Sequence, residues 1–393
     1  MTARARRPWR NWRWLMMAAS VTGTSVLAGC SGGGSSAGSG GTAAPAPAGT
    51  ASLATSMTTA NGATWAIVAM GSSAAGANQF WELFTRAAAS DQWELVTPPG
   101  VASNGGLVAA GGPASLGVAF RPSQGLTFSP LAVTSDAGKT WRTGLIDAPV
   151  ASVPDALAVG AGAMLALLGD GTVEQGGTAG ASWARLAAPG AIATSAAGGR
   201  CGVTSLTAVA YAPSGTPLAA ASCARPGTVG IFARSGDTWQ AAGPVLGGAL
   251  AARQITVLRL TGTPAGDVAL LRAGAGGDAS LLAAWTSDGS RWTVSAPLAA
   301  EAGQVAASGT GSGGAAWVLL PDRSAYAVSG PGGPWRRLPS PPQGTATLAV
   351  GPGGAAEALA TAGGNLTVYQ LSPAGTWQKA QALTVPIQSG SSS

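Results

Sequence analysis

Four acidic side chains sit where strand-connecting loops would present them: Asp155, Asp170, Asp267 and Glu357. Two carboxylates flanking one bond are the machinery of glycoside hydrolysis, one protonated as general acid and one ionised as base or nucleophile. A pair of this kind at the end of a β architecture is therefore the catalytic arrangement to look for. The chain has no His, which removes Ser-His-Asp hydrolysis, Cys-His proteolysis and His-ligated zinc or haem. The Gly-rich run Gly309 to Gly314 lacks the Lys-Ser/Thr pair that would make it a phosphate loop. No metal or cofactor is expected.

The three Cys residues divide into two kinds of chemistry. Arg4, Arg6, Arg7, Arg10 and Arg13 precede an apolar stretch from Leu15 to Gly29, which ends in Leu27-Ala28-Gly29-Cys30. That stretch is shorter than the roughly 20 residues a spanning helix needs. It resembles the lipobox of bacterial lipoprotein signal peptides, in which the Cys thiol is acylated before cleavage leaves it as the first residue. The resemblance implies a signal peptide over 1–29, lipid attachment at Cys30, and an extracytoplasmic protein anchored to the cell membrane. Residues 30–50 are Gly, Ser, Ala, Thr and Pro after the Cys, the composition of a flexible tether. Cys201 and Cys223 form an even pair in what is then an exported body, where a disulfide is expected.

The charge also belongs to the leader. Five of the 21 basic residues are the N-terminal arginines, leaving 16 basic against 15 acidic side chains downstream. The body has no basic face for nucleic acid.

The elements that must position these residues are legible from Trp. Trp93, Trp141, Trp183, Trp239, Trp292, Trp335 and Trp377 each close a polar turn, at spacings of 42 to 56 residues. Each period divides into four short apolar runs separated by Gly-rich turns, as in Ile255 to Leu260, Val268 to Arg272, Leu281 to Trp285 and Trp292 to Ala296. This is the size of one four-stranded propeller blade. The pattern predicts an all-β chain: a seven-bladed β-propeller of four-stranded antiparallel blades over 51–387, with a disordered tail over 388–393. Whether the segment Ser52 to Thr58 supplies a closing strand stays open.

The turn Thr134-Ser135-Asp136-Ala137-Gly138-Lys139-Thr140-Trp141 resembles the Asp-box of bacterial neuraminidase-type repeats. Thr286-Ser287-Asp288-Gly289-Ser290-Arg291-Trp292 is a shortened relative, and Ser235-Gly236-Asp237-Thr238-Trp239 a more degenerate one. The Asp-box residues are Thr134, Asp136, Gly138, Thr140 and Trp141, with Thr286, Asp288 and Trp292 in the second copy. Physically, the hydroxyl and carboxylate bond the turn's own amides, and Gly138 takes a positive φ. The resemblance implies a structural fastener and carries no activity: a sialidase site needs three convergent arginines and a Tyr-Glu pair, and Tyr211, Tyr326 and Tyr369 match no such context. Trp65, Trp81, Trp285 and Trp317 fall in strands, where they either pack in the core or stack on sugar rings. The expected function is a monomeric, membrane-anchored binding or scaffold module for an envelope protein or glycan. The alternative is a divergent envelope glycoside hydrolase using a carboxylate pair at the propeller mouth.

Overall fold

The computed structural model describes residues 56–384, apart from 61–62, 71–79, 89, 99–105, 111–115, 121–127, 148–154, 161, 178–182, 300–303, 312 and 363–364. The leader, Cys30, the tether and the tail lie outside the described residues. Within them the chain is all-β and built from antiparallel sheets in which strands pair in chain order.

One sheet orders Ser56–Ala60, Ala63–Met70, Phe80–Arg86 and Trp93–Leu95, and the next Gly106–Ala110, Leu116–Phe120, Phe128–Thr134 and Arg142–Asp147. A third orders Ala156–Val159, Ala163–Leu167, Val173–Gly177 and Trp183–Ala187. Two further four-stranded sheets close the described chain, over 307–337 and 345–383. Between them lies a nine-stranded sheet that is two four-stranded units, 203–241 and 255–294, plus the short strand Leu298–Ala299. A single residue pair, Ser222 with Thr256, joins the two units.

The first strands of successive units are neighbours. Ser56–Ala60 lies beside Gly106–Ala110, followed in turn by Ala156–Val159, Val203–Tyr211, Ile255–Thr263, Ala307–Thr310 and Thr345–Val350, which returns to Ser56–Ala60. Side chains alternate along each strand, so each sheet buries one set against the preceding unit and the other against the following one. In Gly266–Ala273, Ala269, Leu271 and Ala273 pack with Leu218, Ile231 and Val257, whereas Val268 packs with Ala316 and Val328 of the next sheet. Small residues dominate because the sheets approach closely. A Cβ on Gly160, after Ala156–Val159, would fall 2.7 Å from the Tyr211 ring of the next unit.

Among the described residues the cycle closes without strand exchange. Ser56–Ala60 pairs with Ala63–Met70 as the first strand of its own sheet, not with the last described strand, Trp377–Leu383. An apolar cluster spans the junction, with Met57, Val68 and Phe84 from one side and Leu359, Val368 and Leu383 from the other. Gln381 adds a two-point clamp: its Oε1 accepts from the Trp93 N–H (2.8 Å) and its Nε2 donates to the Trp93 carbonyl (3.1 Å). Arg86 Nε lies 2.9 Å from Glu357 Oε1, an ion pair whose donor is not aligned for a hydrogen bond.

One departure from the strand pattern precedes the 203–241 unit. Ala191–Thr194 and Ala196–Cys201 are short helices, the second capped by the Ser195 hydroxyl accepting from the Gly198 N–H. Segments of four and six residues are too short to show a 3.6-residue periodicity in sequence. The second helix ends at Cys201, which is disulfide-bonded to Cys223 at the end of Pro217–Cys223, with Cα atoms 5.1 Å apart.

Candidate functional site

The Asp-box turn is a closed hydrogen-bond ring. Thr134 Oγ1 donates to Asp136 Oδ1 (2.8 Å) and accepts from the Gly138 N–H (2.9 Å). Asp136 in turn accepts from the Thr140 N–H (2.9 Å) and the Thr140 hydroxyl (2.5 Å). These donors, the Thr140 hydroxyl foremost, hold the Asp136 carboxyl at about 2. Ala137 and Gly138 both have positive φ, at 62° and 85°. A Cβ at Gly138 would meet the Val96 Cβ at 2.8 Å, so the turn sits hard against the preceding sheet. Trp141 is half-buried beside it.

In the second copy Asp288 Oδ1 accepts from the Thr286 hydroxyl and from the Ser290 and Arg291 N–H groups (2.8 to 3.1 Å). The Arg291 and Ser290 amides hold that carboxyl far below the usual range. Trp292 does more than pack under its hairpin: its indole N–H donates to the Ala242 carbonyl of the preceding unit (2.7 Å). Trp335 and Trp377 repeat this across their own junctions, to Ser295 Oγ (3.2 Å) and the Pro339 carbonyl (3.0 Å). The degenerate turn at 235–239 has lost the ring, because Asp237 faces Arg234 (3.2 Å) instead of its own amides.

The four acidic candidates do not form one group: they divide between the two edges of the sheets. Asp155 immediately precedes Ala156–Val159, and Asp170 lies in the turn after Ala163–Leu167, so both sit at one edge of their sheet. Burial pushes the Asp155 carboxyl up, while Asp170 accepts from the Thr172 N–H (2.8 Å). Asp267 and Glu357 each occupy the second position of the second strand of their units, at the opposite edge. Glu357 is held by Arg86 and by Gln370 Nε2 (3.2 Å). Asp267 is 4% exposed, its Oδ1 has no hydrogen-bond partner, and burial raises its carboxyl to about 6. It lines a cavity of about 230 Å³ between the 203–241 and 255–294 units, together with Ser214, Thr216, Asp288 and Trp292.

Three of the four aromatic residues expected either in the core or at a sugar platform are in the core. Trp65, Trp285 and Trp317 are buried, and Trp285 donates its indole N–H to the Gly314 carbonyl (2.6 Å). The side chain of Trp81 lies outside the described residues. Tyr211 is buried, which raises its hydroxyl, and accepts from Gln175 Nε2 (3.0 Å) rather than from a carboxylate. Among the described residues no group of three or more His, Cys, Asp or Glu is placed to hold a metal ion. Sequence reasoning missed Gln381 and Arg86 as closure residues, since their partners lie hundreds of positions away and no local pattern marks them.

No protein-family model matches the chain, and no curated protein matches it. Solved β-propellers do. The GH74 xyloglucanase from Xanthomonas campestris is 15% identical with a TM-score of 0.52, covering 82% of this chain and 53% of that one. A GH74 enzyme from Niastella koreensis is 12% identical with a TM-score of 0.51, covering 80% and 51%. The periplasmic gluconolactonase of Pseudomonas aeruginosa is 16% identical with a TM-score of 0.50, covering 81% and 96%. The chain thus spans about half the length of the GH74 chains. At these identities the likeness is one of fold, a β-propeller.

Proposed function

We propose that the protein is an extracytoplasmic lipoprotein, tethered through Cys30, whose seven-bladed propeller with neuraminidase-type turns binds an envelope protein or glycan without turning it over. Counting the units 203–241 and 255–294 as separate blades supports the seven-fold reading, with Ser56–Ala60 and Thr345–Val350 as neighbours.

The observation that carries the non-catalytic reading is that the acidic side chains divide between two edges and that one member of each neighbouring pair, Asp170 and Asp288, is engaged by its own turn. Asp155 and Asp170 stand at the edge opposite to Asp267 and Glu357, and Glu357 and Asp288 are consumed by structural contacts. A two-carboxylate mechanism needs both groups on one substrate bond. The Cys201–Cys223 disulfide supports an oxidising compartment, and so an exported body. Loops on the sheet edges of such a ring offer a rigidly held, variable surface suited to recognition.

The test is crosslinking of the full-length protein in its own envelope, with Cys30→Ala as the tethering control, alongside hydrolysis assays on cell-wall polysaccharides. The expected result is one reproducible crosslinked partner or glycan that disappears when Cys30→Ala frees the protein, with no polysaccharide cleavage. Cleavage that is lost in Asp155→Asn or Asp267→Asn overturns the non-catalytic reading. Retention of Cys30→Ala in the membrane fraction overturns the anchor.

A further inference from the structure

The cavity between the 203–241 and 255–294 units is lined by Asp267, whose carboxylate has one oxygen, Oδ1, sealed from solvent without a hydrogen-bond partner among the described residues. Asp267 is almost completely buried, and no Lys or Arg is among the cavity's described lining residues. The carboxyl is raised only to about 6, so at neutral pH it is ionised without a counter-charge. A buried ion in this state is costly unless something pairs with it.

The rest of the lining narrows what that partner is. Trp292 presents its ring on one wall, with its orientation set by the indole hydrogen bond to Ala242. Ser214 and Thr216, whose hydroxyls lie 2.9 Å apart, supply polar contacts from the facing unit. Asp288 adds negative charge at the rim, although its turn already engages the carboxylate. An anion would be repelled by both aspartates, and a neutral sugar would leave the Asp267 charge unpaired. A divalent metal needs several oxygen ligands, and Asp267 is the one free carboxylate in the lining. An organic cation meets each condition, pairing its charge with Asp267 and laying an apolar stem on the indole face.

We propose that this cavity, lined by Asp267, Trp292, Ser214 and Thr216 among others, is a binding site for a primary ammonium or guanidinium group. The group belongs either to a free small amine or to a Lys or Arg side chain of a partner protein. The site stands independently of the tether and of the envelope ligand proposed above.

Titration calorimetry of the full-length protein with n-butylammonium, methylguanidinium and the neutral control n-butanol tests it. The expected result is binding of at least one cation and none of the alcohol, weakened about tenfold or more in Asp267→Asn. Unfolding of Asp267→Asn at the wild-type temperature or above certifies that the variant is folded. Wild-type protein supplies a second reading that needs no variant, because the groups facing the cavity titrate apart: lowering the pH from about 7.5 to about 4.5 protonates Asp267 and leaves Asp288 ionised, so affinity must fall. A lysine-containing tripeptide with blocked ends that binds more tightly than butylammonium identifies a partner's side chain as the source; equal or weaker binding identifies a free amine. The proposal is overturned if neither cation binds, if butanol binds equally, if Asp267→Asn binds the cation as wild type does, or if affinity is unchanged at the lower pH.

Discussion

Glu357 and Asp267 occupy equivalent positions, each the second residue of the second strand in its unit, and have opposite fates. Glu357 points toward the following sheet, where Arg86 and Gln370 meet it at the junction that closes the ring. Asp267 faces the preceding unit and lines a cavity with no described cation. Strand position alone therefore does not set the role of a rim carboxylate. The sheet face it takes, and what the neighbouring unit offers there, decide between a fastener and an open site. The closure junction has spent its polar groups on holding the ring together, and the junction at Asp267 has kept one in reserve.

The largest effect expected from breaking this contrast comes from Arg86→Met, which strands a buried Glu357. Denaturant unfolding is expected to show a loss of about 3–5 kcal/mol, and Arg86→Met combined with Glu357→Leu is expected to recover most of it. A double variant as unstable as the single one would mean that the arginine acts through packing instead.

Asp267→Asn is expected to move stability the other way, by about 1–2 kcal/mol at pH 7, below the full linkage value because solvent partly screens the carboxylate. The sign follows from the raised carboxyl. Its neutral form favours the folded state fully below the unfolded value of 3.8, and that contribution is lost as pH rises through about 6. The gap between wild type and Asp267→Asn should accordingly be small near pH 4 and widen to its full value above pH 6. Unfolding curves at the two ends of that window check it.

Gln381→Ala removes two hydrogen bonds across the closure and is expected to cost about 1 kcal/mol. Hydrogen exchange of the amides in Trp93–Leu95 should quicken more than exchange in the 203–241 unit. Uniform acceleration would show that the clamp acts on the whole ring.

The smallest effect is expected at Asp136, whose bonds lie within one exposed turn. Asp136→Asn should lower the unfolding temperature slightly near neutral pH. The carboxyl is held at about 2, so its contribution is present above 3.8 and is lost as pH falls through about 2. A wild-type advantage that persists unchanged in strong acid would locate the effect elsewhere in the turn.

Much of this architecture can be read along the chain because its determinants are local. Four apolar runs per period, Gly-rich turns, and Trp after each third turn specify antiparallel hairpins in chain order, and the Thr134 to Thr140 ring is built entirely from neighbouring residues. The short helices over 191–201 escape that reading because a single turn or two leaves no periodic trace. The candidate site escapes it for a different reason. Nothing near Asp267 in sequence distinguishes it from a solvated turn carboxylate, whereas Asp170, which does bond its own turn, has much the same appearance.

Sequence by itself determined the strand pattern, the fastening turns, the Cys201 and Cys223 pairing partners and the expectation of an anchor at Cys30, since each depends on residues close in the chain or on composition. Tertiary structure alone decided how the ring closes and which carboxylates stand free. Gln381 reaches Trp93 across 288 positions, and Arg86 meets Glu357 only when the last sheet returns to the first. The isolation of Asp267 is a property of the space between two sheets, fixed when the apolar faces of the 203–241 and 255–294 units pack against each other and bring no partner to its carboxylate.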